Sequence, residues 1–188
     1  TWRLIKETSG VIYYKFVLHR DGEVLWLTDP QAHEVAHDGA HGDPAYWNAV
    51  RGRTFAEPDP LPYAIDRSRL VIYEISLNDF SSTGTFAGAT AGLTGGADLV
   101  DLGVNAIELM PVTVPSYNGW GYDPVLYCAP NPSFGWPSTF AALVDAAHDN
   151  GMAVILDMVL NHMAGSNPLR QLDDFVGTYR FTTTEPNP

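Results

Sequence analysis

An α/β protein with a parallel sheet is what this sequence of 188 residues predicts, and three observations carry that expectation. Short apolar runs recur at 70–75, 105–110 and 153–157. Stretches with helix start and stop residues separate them, at 86–100 and 137–149. Polar and aromatic residues gather after the ends of the apolar runs rather than inside them. Strand, helix, strand, helix, strand is a βαβαβ unit, and parallel strands covered on both faces read as continuous apolar runs.

In chain order, residues 11–18 are β-branched and aromatic and predict a strand. Asp21-Gly22 supplies a tight turn, and Val24 to Thr28 return as the partner strand until Asp29-Pro30 stops it. A lone hairpin is marginal in water, so residues 1–36 are expected to be the end of a β-sandwich domain. Residues 37–68, rich in histidine, glycine and proline, are expected to be an irregular linker. His33, His37 and His41 would share one face of a helix, as metal ligands do, but Gly39 and Gly42 oppose a helix there. An exposed linker with chance histidines is the stronger account.

The barrel portion is expected over 69–188. Leu70 to Ile75 form the first buried strand. Thr85 stands at the N-cap of a helix from Phe86 to Val100, which Gly92, Gly95 and Gly96 weaken by about 1 kcal/mol each relative to alanine. Gly103 closes it. Asn105 to Met110 form the second strand, ended by Pro111, and a long loop runs to Trp136. Pro137 opens the next helix, with Phe140, Leu143, Val144 and Ala147 on one face and Asn150-Gly151 at its end. Trp136 occupies the capping position that serine or threonine usually fills, at a cost of about 1 kcal/mol. Ala153 to Asp157 form the third strand. Asp173 and Asp174 read as solvated charge.

Composition narrows the function classes. The formal net charge is −12, from 22 acidic and 10 basic residues. That field repels polyanions, so no nucleic-acid partner and no anionic membrane partner are expected, whereas a neutral sugar is not penalised. Cys128 is the single cysteine, which rules out an intrachain disulfide. No apolar run approaches the roughly 20 residues of a membrane span. No Gly-x-Gly-x-x-Gly, Gly-x-Ser-x-Gly or P-loop occurs, which removes dinucleotide, serine-hydrolase and nucleotide readings, and the His-Glu-x-x-His string at His33–His37 lies in the segment whose glycines oppose the helix a zinc-protease site needs. A doubly wound sheet and a (β/α)8 barrel share the βαβαβ pattern. Polar residues clustered after strand ends suit the catalytic face of a barrel.

Four segments occur in order: Gly103-Val-Asn-Ala-Ile-Glu-Leu-Met-Pro111, Trp120-Gly-Tyr-Asp-Pro124, Phe134-Gly135 and Asp157-Met-Val-Leu-Asn-His162. This series resembles the start of the catalytic barrel of the α-amylase family (glycoside hydrolase family 13), from about Val71 to about Arg170. Val11 to Pro30 is similar to the end of the immunoglobulin-like β-domain that precedes the barrel in branching and debranching members. The resemblance implies an α/β fold, a partial (β/α)8 TIM barrel (first three strands) with a β-sandwich remnant at the N-terminus. It implies a retaining α-glucan hydrolase or glucanotransferase, with an α-1,4-linked glucan oligosaccharide or polysaccharide as partner. A branching-enzyme fragment and a non-catalytic glucan-binding protein are the alternatives.

The resemblance also implies roles. His162 corresponds to the histidine that hydrogen-bonds the glucosyl unit being cleaved, Asp157 to the aspartate that shapes the site floor, and Tyr122 to the aromatic platform. Asp123 and Trp120 stand beside it as further substrate-binding residues. Asn161 corresponds to a calcium-ligand asparagine, so a structural calcium is implied while no cofactor is required. Family nucleophile and acid/base follow the fourth and fifth strands, so no catalytic carboxylate is expected within these 188 residues. Sugar chemistry agrees with these roles. A pyranose offers an apolar C–H face for aromatic rings and a rim of hydroxyls for His, Asp and Asn.

Overall fold

The computed structural model describes residues 11–37, 46–51, 60, 66–94, 99–117 and 119–177. Strands β1 (Val11–Tyr14), β2 (Phe16–Arg20) and β3 (Glu23–Leu27) come first. The single strand expected over 11–18 is thus broken at Lys15. β2 and β3 form the hairpin, with Val17 opposite Trp26. Asp21 (φ 49°) and Gly22 (φ 86°) make its two-residue turn, both left-handed as a type I′ turn requires.

β1 belongs to a different sheet. It pairs antiparallel with β5 (Tyr46–Arg51), which also pairs with β4 (Val35–His37), giving the order β1-β5-β4. This corrects the expectation of an irregular linker over 37–68, because the β-unit extends to Arg51. Tyr46, Trp47 and Val50 are strand-forming residues that the glycine- and histidine-rich flank obscured. His37 ends a strand, so the helical spacing of His33 and His37 is not realised, and His41 lies outside the described residues.

The second unit holds a parallel sheet, order β6-β7-β8, of β6 (Ile72–Ile75), β7 (Ala106–Leu109) and β8 (Ala153–Leu156). Its helices are α1 (Leu77–Phe80), α2 (Phe86–Thr94) and α3 (Pro137–Asp149). Thr85 caps α2 as expected, its Oγ1 accepting from the Gly88 N–H at 3.1 Å. α2 is described as far as Thr94, residues 95–98 lie outside the described residues, and residues 99–103 form turns. Val104 N–H bonds Leu99 O and Gly103 N–H bonds Val100 O, both at 2.9 Å, the paired bonds of a Schellman ending. α3 starts at Pro137 and ends the same way, with Met152 N–H to Ala147 O and Gly151 N–H to His148 O. Trp136 makes no side-chain cap.

Side chains alternate across the sheet with period two. Ile75, Ile107, Leu109 and Val154 face the helices and pack with Phe86, Leu93, Leu143 and Met152. Of the helix face expected for α3, Leu143 and Ala147 are buried and Phe140 packs on the core, with Ala141 and Ala146 buried beside them. The opposite sheet face carries Glu74, its register partner Glu108, and Ile155.

A further helix, α4 (Pro168–Val176), corrects the reading of Asp173 and Asp174 as a solvated pair. Asp174 is exposed and pairs with Arg170 at 3.2 Å. Asp173 is 3% exposed, and its Oδ2 has no hydrogen-bond partner among the described residues. One residue step on a helix turns the side chain by about 100°, enough to send neighbours to opposite faces. α4 rests on β3, and Arg20 donates to Phe175 O at 2.7 Å.

Candidate functional site

The segment between β7 and α3 is a folded finger. Bridges join Thr113 to Pro130 and Pro115 to Pro124, and Val125 N–H donates to Val114 O at 2.8 Å. Its apolar residues Val114, Val125, Leu126 and Ala129 form a second core with Ala32, Val35 and Ala164. The finger is therefore packed against the N-terminal β-unit on one side and the segment after β8 on the other.

Gly121 sits near the finger's tip at φ 89°. A Cβ there would lie 2.7 Å from Pro111 O and 2.9 Å from Pro111 Cβ. The backbone is thus pressed against the end of β7, and this fixes where the next residue, Tyr122, emerges. Glycine is required on two counts, sign of φ and space.

Three residues expected at the site are joined by hydrogen bonds. The Tyr122 hydroxyl donates to Asp157 Oδ2 at 2.7 Å, and His162 Nε2 lies 2.7 Å from the Tyr122 carbonyl oxygen. The Tyr127 hydroxyl donates to His162 O at 3.0 Å. Tyr122 remains 36% exposed, so a ligand can reach its ring. Asp123 stands apart from this network. It accepts from the Ser116 hydroxyl, and its backbone oxygen accepts from Ser116 N–H at 3.0 Å. Trp120 is 73% exposed and borders Ser76, Leu77 and Met110 rather than the Tyr122 network. Asn161 is exposed. Calcium takes six to eight oxygen ligands, and no three His, Cys, Asp or Glu side chains converge on a metal position among the described residues.

The hydrogen bond to Asp157 pushes the Tyr122 phenol up to about 12, with burial and the charges of Asp157, Glu74 and Glu108 adding to it. A folded-state value above the unfolded value of about 10 means a contribution to stability that is present below pH 10 and lost as pH rises through 12. Asp157→Asn removes the charge and keeps an acceptor. The Tyr122 midpoint is then expected to fall toward 10 in an ultraviolet or tyrosine-¹³Cζ titration. An unchanged midpoint would show that Asp157 is not the cause.

Glu74 and Glu108 were not singled out from the sequence. Each is a lone carboxylate inside an otherwise apolar strand, and that was the available signal. Tyr127 was also missed, since its role depends on a contact with His162, 35 positions away. Beside Asp157 lies a mainly apolar cleft of about 340 Å³, bordered by His33, Val112, Tyr127, Cys128 and Phe140.

The model of the alpha-amylase catalytic domain matches residues 71–171. The malto-oligosyltrehalose trehalohydrolase of Saccharolobus solfataricus is 40% identical over 151 residues, covering 80% of this chain and 25% of that protein. The 1,4-alpha-glucan branching enzyme GlgB 1 of Xanthomonas axonopodis pv. citri is 32% identical over 171 residues, covering 88% of this chain and 21% of that protein. Among solved structures, a GBS pullulanase in complex with maltotetraose superposes with TM-score 0.63 at 26% identity, over 81% of this chain and 25% of that one. The chain spans about a quarter of the length of the relatives it matches.

Proposed function

The chain belongs to the α-amylase family, and from that premise we propose that Tyr122, Asp157 and His162 form the glucose-binding floor of an α-glucan site. The whole protein is a retaining α-glucan hydrolase or glucanotransferase. The observation that carries this proposal is the hydrogen-bonded closure of the three residues across two loops at the strand ends, with the Tyr122 ring left accessible. Asp123 and Trp120 are proposed to flank the site as wall and outer contact. Maltotetraose bound to the pullulanase relative supports a linear α-1,4 oligosaccharide as the ligand class. The branching-enzyme relative supports transfer as the second reading of the chemistry.

Retaining cleavage needs a nucleophile and an acid/base about 5–5.5 Å apart on either side of the scissile bond. The floor residues supply binding and orientation, not that pair. The 188-residue chain is expected to bind maltotriose weakly, with Kd on the order of 1 mM, or about 4 kcal/mol. It is expected to release no reducing sugar from starch. Tyr122→Ala should weaken binding roughly tenfold, about 1.4 kcal/mol. Chemical-shift titration and a reducing-sugar assay check both points. Silence of the Tyr122 and His162 signals at tens of millimolar maltotriose would sink the glucan-site proposal. Starch turnover lost in His162→Ala would overturn the division between floor and cleavage pair.

A further inference from the structure

Helix α4 is held differently at its two ends. At its start, Asn167 is 1% exposed and bonded on three sides. Its side-chain oxygen accepts from Leu169 N–H at 2.8 Å, its backbone oxygen accepts from Arg170 and Gln171 N–H, and its own N–H donates to Ala164 O at 3.0 Å. Ala164 N–H in turn donates to Pro124 O at 3.0 Å, and Ala164 belongs to the second core, so this end is continuous with the finger. The far end differs. Asp173 is 3% exposed with no partner for Oδ2 among the described residues, and a buried carboxylate oxygen without a donor opposes the docked state. Arg20 acts the other way. It reaches from the hairpin to donate to Phe175 O at 2.7 Å, placing a cation at the negative end of the helix dipole. The last turn of α4 has no basic residue of its own, and the Arg20 side chain is 47% exposed, so water can replace its bond.

We propose that α4 is a hinged clasp between the barrel portion and the β-unit, with Asn167 as the hinge, the Arg20–Phe175 contact as the latch, and buried Asp173 as the group that favours release. Segments with few net stabilising contacts open locally, without unfolding the rest of the chain. Opening gives Asp173 Oδ2 to water and loses the Arg20 bond and the packing of α4 on β3. The second core is untouched by it, because Ala164 and the finger lie on the fixed side of Asn167. The β-unit is thus joined to the barrel portion by one fixed seam and one releasable one. The clasp stands on contacts outside the Tyr122 network and does not depend on the glucan-site proposal.

Hydrogen–deuterium exchange of the full 188-residue chain at neutral pH tests the clasp, read by peptide mass spectrometry as protection relative to the unfolded rate. Residues 172–176 are expected to be less protected than α3 and than the finger. Arg20→Met keeps the stem of the side chain and removes the donor. It is expected to lower protection at 172–176 roughly tenfold, the effect of losing one charge-assisted hydrogen bond. Asp173→Asn removes the buried charge at nearly the same size and is expected to raise protection there several-fold. The two changes together should return it toward the parent's level. Protection of α4 equal to that of α3 in the parent would overturn the clasp. No change, or a fall, with Asp173→Asn would overturn the part given to Asp173.

The place of the hinge is read separately. In Arg20→Met the finger amides and the Tyr122 phenol midpoint of about 12 are expected to keep the parent's values, because the opening stops at Asn167. A matching loss of protection in the finger, or a midpoint that falls toward about 10, would place the break beyond Asn167 and overturn the hinge. Arg20→Met with unchanged protection at 172–176 would overturn the latch. A variant that unfolds outright is recognised by loss of protection in α3 as well. Asp173→Asn, which is expected to add stability, then carries the test alone.

Discussion

Phe86→Ala is expected to lower stability by about 3–5 kcal/mol, the range for truncating a fully buried aromatic ring. Phe86 is 0% exposed and opens α2. Its ring meets Phe134 edge-on at 5.9 Å and Phe140 at 5.0 Å, so it joins the finger's end to α3. Its backbone N–H also donates to Phe134 O at 2.9 Å, a bond that alanine keeps. The loss is therefore one of packing, and Phe86→Leu, which refills part of the volume, should recover a good part of it. Urea unfolding followed by tryptophan fluorescence measures both. A midpoint within error of the parent for Phe86→Ala would show that the three rings are not the centre of this core.

Gly121→Ala acts on the site as well as on stability. A left-handed backbone costs an L residue about 1–2 kcal/mol, and forcing an atom into a filled space about 1–3 more. A loss of about 2–4 kcal/mol is expected. The chain can relieve the contact with Pro111 by lifting the finger's tip, and that would draw Tyr122 away from Asp157. The variant should consequently show a lower destabilisation than a rigid clash implies, together with a Tyr122 phenol that titrates closer to 10. Gly121→Ala with the parent's urea midpoint and the parent's Tyr122 titration would contradict the close approach between Gly121 and Pro111.

Much of the barrel portion could be read from the chain because local signals agreed with tertiary ones. Thr85, Pro137 and Gly151 mark helix ends by rules that depend on a few neighbouring residues, and each stands where those rules put it. Three apolar runs between such marks left few arrangements other than a parallel sheet. The N-terminal unit was harder, because β1 finds its partner 34 to 40 positions away in β5 and not in the hairpin beside it. Strand composition says that a segment extends, but not with whom it pairs. At the candidate site, resemblance named Tyr122, Asp157 and His162, whereas their connection through a backbone oxygen carried no sequence signature. Asp173 was misread for a related reason. Two adjacent aspartates look alike in sequence, and the helix sends only one of them to water.

The second core, where Ala32 and Val35 meet Val114, Leu126 and Ala164, has a consequence for how such a chain is inherited. A β-domain joined to a barrel by a mere tether could be exchanged for another at the tether. Here the seam passes through shared packing, and α4 lies on β3 besides. The unit that recombination can move intact is the β-unit together with the finger that carries Tyr122. Changes in the outer domain are thereby heard directly at the finger that presents Tyr122.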